Sequence, residues 1–505
     1  MFKLSKDILF LIFEELQDDS KSLFSCLMVN RFWCETAVQV LWRDPWSYSG
    51  INYRNKSYLF VIITSYFFNN IKKFITEESI QSSTVLVKFT LFDYLSFCRS
   101  ISVNTINCII FIGSTLAYNQ FIIQQEFYYF FMKKCPELKY LNMKSIKHQI
   151  FYFPEAKNCL ESLCELECDT SIDSTYFYGL SRFCQRIQKL VIININTKLN
   201  NGIVKLIEVQ KSLKRFGWRD DFYDEFFTND DDPYEQILLA LEKKAESLNY
   251  LRLSFHYVEN YEHTLLLEIL PKFYKLKILI IEDYLLLNEE QLEKFKMQVY
   301  PELEILSIEY NRLNTVTSII ENSGGRLKKI LFKPYNITDF ELGDDNFNEN
   351  YLNFIRKVNE NCPLIEYLSI LISPTKEIFS EFEKLLKRCQ NLKSLLVILD
   401  NYDDNYEDDL KDGGELLKIL VRSAPTNFKE IRFGSEFKFS LEMLEEFLEN
   451  WRGRSELSLF TIDPIYISGD YTKLINKYKI DKVIKDFKYL SNKYYRFDYC
   501  IDDLD

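Results

Sequence analysis

The chain has 505 residues, 47% hydrophobic and 27% charged, with a net charge of −12. That length exceeds what one compact core holds, so several domains or a repeat array are required. The acidic balance speaks against non-specific nucleic-acid binding, and no apolar run reaches the ~18 residues of a membrane span.

The chain opens on Leu4, Ser5, Lys6, Asp7 and then Ile8, Leu9, Ile12, Phe13 and Leu16, whose steps of one, three and four mark one face of an amphipathic helix. Ser5 is a competent N-cap for it. Two further apolar patches, Leu23–Val29 and Trp33–Trp42, predict two more short helices. Three short helices bury little on their own, so part of this apolar surface is expected to meet a partner. The run Ile8–Phe13 is too short for a secretory signal, and Asp7, Glu14 and Glu15 bracket it. The twelve cysteines therefore read as reduced thiols of the cytoplasm or nucleus.

These residues resemble the F-box family. Leu4, Ile8-Leu9, Ile12-Phe13, Leu16, Cys26-Leu27, Trp33 and Leu41-Trp42 occupy the matching places. Ser5 departs from the family's Pro, and Met28-Val29 stands near its Val-Cys pair. The resemblance covers residues 1–43. It implies docking on a Skp-family adaptor, and through it on a cullin, with Leu4, Ile8, Leu9, Ile12, Phe13, Leu16, Leu27 and Trp33 burying against the adaptor or bracing the helices that do.

Residues 44–134 are apolar and aromatic but weakly periodic, and read as a linker with degenerate first repeats. Candidate phrases there are Leu86/Phe89/Leu91 and Ile106/Ile109/Phe111. From 135 to 463 one phrase returns: apolar, two residues, apolar, one residue, apolar. It begins as Leu138/Leu141/Met143, Leu163/Leu166/Cys168, Ile187/Leu190/Ile192 and Leu213/Phe216/Trp218, and ends as Phe428/Ile431/Phe433 and Leu457/Phe460/Ile462. Self-similarity at a period of 24 to 38 residues signals a solenoid. The last two apolar positions share one face of a short strand, and the stretch between phrases is helix-like. One strand and one helix cannot cover each other's apolar faces, whereas stacked neighbours can. This resembles the leucine-rich repeat family. The fold class expected is α/β: a three-helix F-box followed by a curved solenoid of about twelve clear and about two degenerate strand–helix repeats. Residues 464–505 are expected to form a C-terminal cap and acidic tail, helical from Tyr471 to about Tyr495.

Three intervals are long, and the extra segments Asp220–Asp232, Asp339–Asn350 and Asp400–Asp412 hold nineteen Asp or Glu against one Lys. Their net charge is 1 − 19 = −18, so the rest of the chain sums to −12 + 18 = +6. They read as solvated loops on one rim, able to attract a basic segment of a partner. Strand residues at alternate places point away from the core and would line the concave face. The candidates for substrate contact are Tyr140, Lys144, Glu165, Glu167, Arg215, Arg219, Tyr250, Arg252, Glu309 and Tyr367. Ile193, Ile278, Ile280, Leu331, Leu371, Leu396 and Ile398 are their apolar companions.

No nucleophile–base, phosphate-loop or dinucleotide motif occurs, and the three histidines, His148, His256 and His263, stand apart. Neither a catalytic residue, a metal site nor a cofactor is expected. Cys135, Cys159, Cys184, Cys362 and Cys389 precede repeat starts and read as buried small hydrophobes, not ligands. Together the two resemblances imply a non-catalytic substrate receptor of an SCF-type ubiquitin ligase, free of nucleic acid and membrane. The alternative is a repeat scaffold without ligase attachment; a hydrolase within the array is disfavoured by the missing motifs.

Overall fold

A computed structural model describes residues 4–46, 56–75, 91–195, 198–222, 234–256, 264–282, 290, 293, 296–309, 313–333, 347–372, 375–399, 406–434, 439–467 and 469–490. The chain divides into two units, Met1–Ser247 and Leu248–Asp505, with the boundary inside the repeats.

The first unit begins with helices α1 (Lys6–Glu15), α2 (Ser20–Leu27) and α3 (Arg31–Leu41). Each starts where a polar side chain takes up a free backbone N–H: Ser5 Oγ accepts from Ile8, Asp19 from Ser22 and Asn30 from Trp33. Each such cap contributes about 1 kcal/mol. The chain leaving α3 is fastened, not loose. Arg43 donates to Glu14 of α1 at 2.9 Å, Arg99 N donates to the Arg43 carbonyl at 2.8 Å, and Trp46 Nε1 donates to the Ser100 carbonyl at 2.8 Å. A helical layer follows: α4 (Lys56–Ser65), α5 (Val103–Ile110) and α6 (Ala117–Lys134), with Phe127, Tyr128 and Phe131 buried.

The strands of this unit are β1 (Ser100–Ser102), β2 (Tyr140–Asn142), β3 (Glu165–Asp169), β4 (Lys189–Asn194) and β5 (Arg215–Asp220), each parallel to the next. Their second phrase positions lie in one row, Ile101–Leu141–Leu166–Leu190–Phe216. Helices α7 (Ser174–Ser181), α8 (Asn201–Val209) and α9 (Glu235–Glu242) cover the sheet.

The second unit continues the pattern with β6 (Tyr250–Ser254), β7 (Ile278–Glu282), β8 (Ile305–Glu309), β9 (Lys329–Lys333), β10 (Tyr367–Ile372), β11 (Ser394–Leu399), β12 (Glu430–Phe433), β13 (Leu457–Thr461) and β14 (Ile484–Tyr489). All neighbours pair in parallel. Its numbered helices are α10 (Leu313–Glu321), α11 (Phe347–Asn361), α12 (Lys376–Arg388), α13 (Tyr406–Ser423), α14 (Leu441–Asn450) and α15 (Gly469–Ile480).

In both units one backbone carbonyl receives two N–H groups as a strand begins, at β2–β5 and β7–β12. The Lys139 carbonyl takes Cys164 and Glu165, the Cys164 carbonyl takes Gln188 and Lys189, and the Lys277 carbonyl takes Glu304 and Ile305. The first apolar residue of each phrase, such as Leu163, Leu303 or Leu392, is buried beside that carbonyl. Each repeat thus sets the start of the next, independently of side chain.

All twelve clear phrases lie on strands, β2 to β13. Three expectations need correction, and a fourth is not tested. Ile106/Ile109/Phe111 is not a strand but helix α5 and its C-cap; the early strand is β1, from a phrase Cys98/Ile101/Val103 that was missed. Leu86/Phe89/Leu91 is outside the described residues but for Leu91. The Leu457/Phe460/Ile462 phrase is one residue out, because Ile431 pairs with Leu459 and Phe433 with Thr461. A slip of one residue exchanges the faces of a strand, so Phe460 points outward and Thr461 inward. Finally, Tyr471 to Tyr495 is not one helical cap. Helix α15 ends at Ile480, Lys482 turns with φ 57°, and β14 follows.

Most of the acidic segments (223–233, 339–346 and 400–405) lies outside the described residues. Two of the three end in helix instead of loop: Glu349 is in the first turn of α11, where a helix N-terminus favours negative charge, and 406–412 opens α13.

Candidate functional site

The head formed by α1–α3 has its own core. Leu9, Phe13, Leu23, Ala37, Val40 and Leu41 are buried together, and Leu16, Leu27 and Trp33 pack half-buried against them. Of the eight residues expected to touch an adaptor or brace the helices that do, only Leu4, Ile8 and Ile12 are exposed, Ile8 by 47% and Ile12 by 42%. Leu9 and Phe13 are internal and brace the three helices, the second of the two roles expected of them. The reason is helical geometry: positions 9 and 13 share one face, while 8, 11 and 12 turn away from it. Sequence reasoning passed over Leu11, Phe24, Met28, Val29 and Phe32, all exposed, Met28 by 86%. The four-residue step from Phe24 to Met28 was the available signal.

On the sheet face of the first unit, Glu167 is a hub. Lys144 pairs with it, Tyr140 OH donates to it at 3.1 Å and Asn142 Nδ2 at 2.6 Å. Burial and the Glu167 charge push the Tyr140 hydroxyl pKa up, so it remains a donor. Glu165 and Arg215 are half-buried on the same face and Arg219 is exposed. On the second unit's sheet face, Arg252 reaches Glu282 at 2.7 Å, Lys329 Nζ lies 4.5 Å above the Tyr367 ring, and Arg432 lies 4.7 Å from the Phe460 ring. Glu309 is half-buried.

The apolar outward residues are not the open patch expected. Tyr250, Ile280 and Leu331 form a buried cluster with Ile278 and Leu396 packed on it, and Ile280 has 0% exposure. Ile193, Leu371 and Ile398 are buried as well. Parallel strands stand about 5 Å apart, so in-register side chains close on one another laterally. Tyr250, expected as a contact residue, belongs to this cluster.

The thiols of Cys98, Cys168, Cys184 and Cys362 are buried, which pushes each pKa up, Cys184 to about 12. Among the described residues, no three His, Cys, Asp or Glu side chains converge as metal ligands, and no helix is long and apolar enough to cross a membrane. His148, expected as an isolated histidine, is buried under Phe121 and Tyr128, with Nε2 3.1 Å from Gln124 Oε1. Burial, with Lys147 adjacent, lowers its pKa to about 4. His256 is half-buried and His263 lies outside the described residues. Half-open grooves run between helices; one of about 400 Å³ is lined by Leu267, Pro271, Met297 and Val299.

No family model matches this chain, and no curated protein matches it. Among solved structures it is similar to a chain of the yeast Rad7 and Elc1 complex, at 15% identity, covering 63% of this chain and 76% of that one, with a TM-score of 0.40. At that identity and score the likeness decides neither function nor site.

Proposed function

We propose that this chain is a substrate-recognition subunit of an SCF-type ubiquitin ligase, with the head docking on a Skp-family adaptor and the repeats holding a protein substrate. It supplies no catalytic group of its own and works in the cytoplasm or nucleus. The F-box resemblance of residues 1–43 motivates the reading. The observation that carries it is the division within α1: Leu9 and Phe13 complete the head's core while Ile8 and Ile12 are left exposed. A soluble head gains nothing by exposing them, and covering each would stabilise a complex by about 1.5–3 kcal/mol. The acidic segments would draw in a basic stretch of the substrate at long range.

The test is co-expression of the full chain with a Skp-family adaptor. Stoichiometric co-purification is expected, together with its loss in Ile8→Asp/Ile12→Asp while the circular dichroism spectrum is unchanged. Retention of the adaptor by the double variant would refute the assignment, and an adaptor that never co-purifies would leave the scaffold reading.

A further inference from the structure

Helix α7 has two faces. Tyr176, Phe177 and Leu180 are buried, while Thr175, Tyr178 and its C-cap Arg182, spaced three and four residues apart, are exposed. The exposed stripe and a 3-10 turn, Ile150–Tyr152, enclose a half-open groove of about 220 Å³. Phe151 forms the floor. A Cβ on Gly179 would stand 2.5 Å from Phe151 Cζ, so glycine is what lets that ring lie against the helix. Tyr152, 76% exposed, stands on the side of the turn, and Tyr178, 43% exposed, on the side of the helix.

The rim offers donors. The Tyr152 and Tyr178 hydroxyls and the Arg182 guanidinium make no hydrogen bond or ion pair among the described residues. The neighbouring Asp173 carboxylate is occupied, because it accepts from the Thr175 N–H at 2.8 Å and from the Thr175 hydroxyl. Small-molecule sites begin near ~300 Å³, so a groove of this size suits one or two side chains of a segment lying across it. Two tyrosine walls with exposed hydroxyls suit a polyproline II segment. Its rings pack on aromatic faces, and its carbonyls, unpaired within their own helix, accept from the hydroxyls.

We infer that this groove docks a proline-rich segment of a partner protein that carries an acidic residue three places from the seated proline. The proline lies between Tyr152 and Tyr178 over Phe151. Arg182 is one helical turn beyond Tyr178, about 6 Å along the axis. A polyproline II helix returns to the same edge after three residues, about 9 Å, and the long Arg182 side chain spans the difference. Its planar guanidinium then takes the carboxylate in two parallel hydrogen bonds. The inference goes beyond the proposed function. The groove lies on the helical side of the repeats, apart from the exposed residues of the head and from the sheet face, and it stands with or without a ligase.

The experiment uses the full chain and a fluorescent peptide of sequence Pro-Pro-Pro-Pro-Glu, read by anisotropy at low salt. Tyr152→Ala, Tyr178→Ala and Arg182→Glu should each weaken binding by roughly tenfold. Arg388→Glu, at an exposed arginine of the second unit, should leave affinity unchanged. Arg182→Glu should in turn take up Pro-Pro-Pro-Pro-Lys, which the wild-type chain refuses. Melting curves check that each variant folds, and all three substituted positions are exposed. The inference is overturned by any of four results: no binding of the peptide to the wild-type chain, equal binding by Tyr178→Ala, equal binding of the flexible peptide Gly-Ser-Gly-Ser-Glu, or tighter binding of an oligothymidine that the same substitutions abolish.

Discussion

Phe13 of α1 and Trp33 of α3 meet edge to face with ring centroids 5.4 Å apart. Ile12, the preceding residue, faces solvent. One peptide bond thus separates a residue that holds the head together from one left exposed, and the two should separate in measurement. Phe13→Ala removes a side chain that is 1% exposed and should cost about 3–5 kcal/mol of head stability. Ile12→Ala should cost under about 1 kcal/mol while weakening adaptor capture. Hydrogen exchange of α1–α3 reads the first and pull-down the second; equal destabilisation by both would contradict the assignment of faces.

His148 links the first unit to pH. Its folded pKa is lowered to about 4, so between that value and an unfolded pKa of about 6.5 the unfolded chain binds a proton that the folded chain refuses. Its contribution is complete above about pH 6.5 and is lost as the pH falls toward 4, by an amount on the order of 3 kcal/mol. Lys147 repels the imidazolium; Gln124, Phe121 and Tyr128 surround the ring without an opposing charge. Replacing His148 with Gln should flatten the fall in unfolding midpoint between about pH 7.5 and pH 5. An unchanged slope would show that other groups set it.

Gly202 lies near the start of α8, where a Cβ would collide with the carbonyl oxygen of Ser174 and stand 2.9 Å from Phe177 Cβ. In an open helix Gly→Ala gains about 1 kcal/mol. Here backbone blocks backbone between α7 and α8, so Gly202→Ala should lose about 1–3 kcal/mol. Thermal unfolding decides the sign, and a higher midpoint would refute the close approach.

The thiols should divide sharply under a maleimide reagent near neutral pH. Cys108 is exposed, whereas Cys98, Cys168, Cys184 and Cys362 are buried and their pKa values raised. Mapping by mass spectrometry should find Cys108 modified in the native chain and those four only after denaturation. Rapid native labelling of Cys184 would mean that the repeats open readily.

The repeat array was legible because its physics is local and periodic. A strand that buries Leu166 and Cys168 on one face must alternate, and a stack of such units must return at a near-constant interval. The twelve clear phrases therefore sufficed to locate β2–β13, and the apolar stripe of α1 located the head. Periodicity lost its power where a strand runs straight into a helix, as β1 does at Val103, or where a neighbouring apolar residue offers a competing register, as Phe460 does beside Leu459. It had none for β14, whose Lys and Asp residues follow a helix in a stretch that alternates weakly.

Sequence by itself determined that this chain is a strand–helix array with an amphipathic helical start, since both follow from where apolar side chains recur. Only the tertiary structure decided which of those side chains are spent. Ile8 and Ile12 remain outside while Leu9 and Phe13 do not, and Tyr250, Ile280 and Leu331 close on one another instead of facing a partner. Periodicity assigns a residue to a face of its own element; whether that face meets water or another side chain depends on neighbours far away in the sequence, brought to within about 5 Å by the stacking of strands.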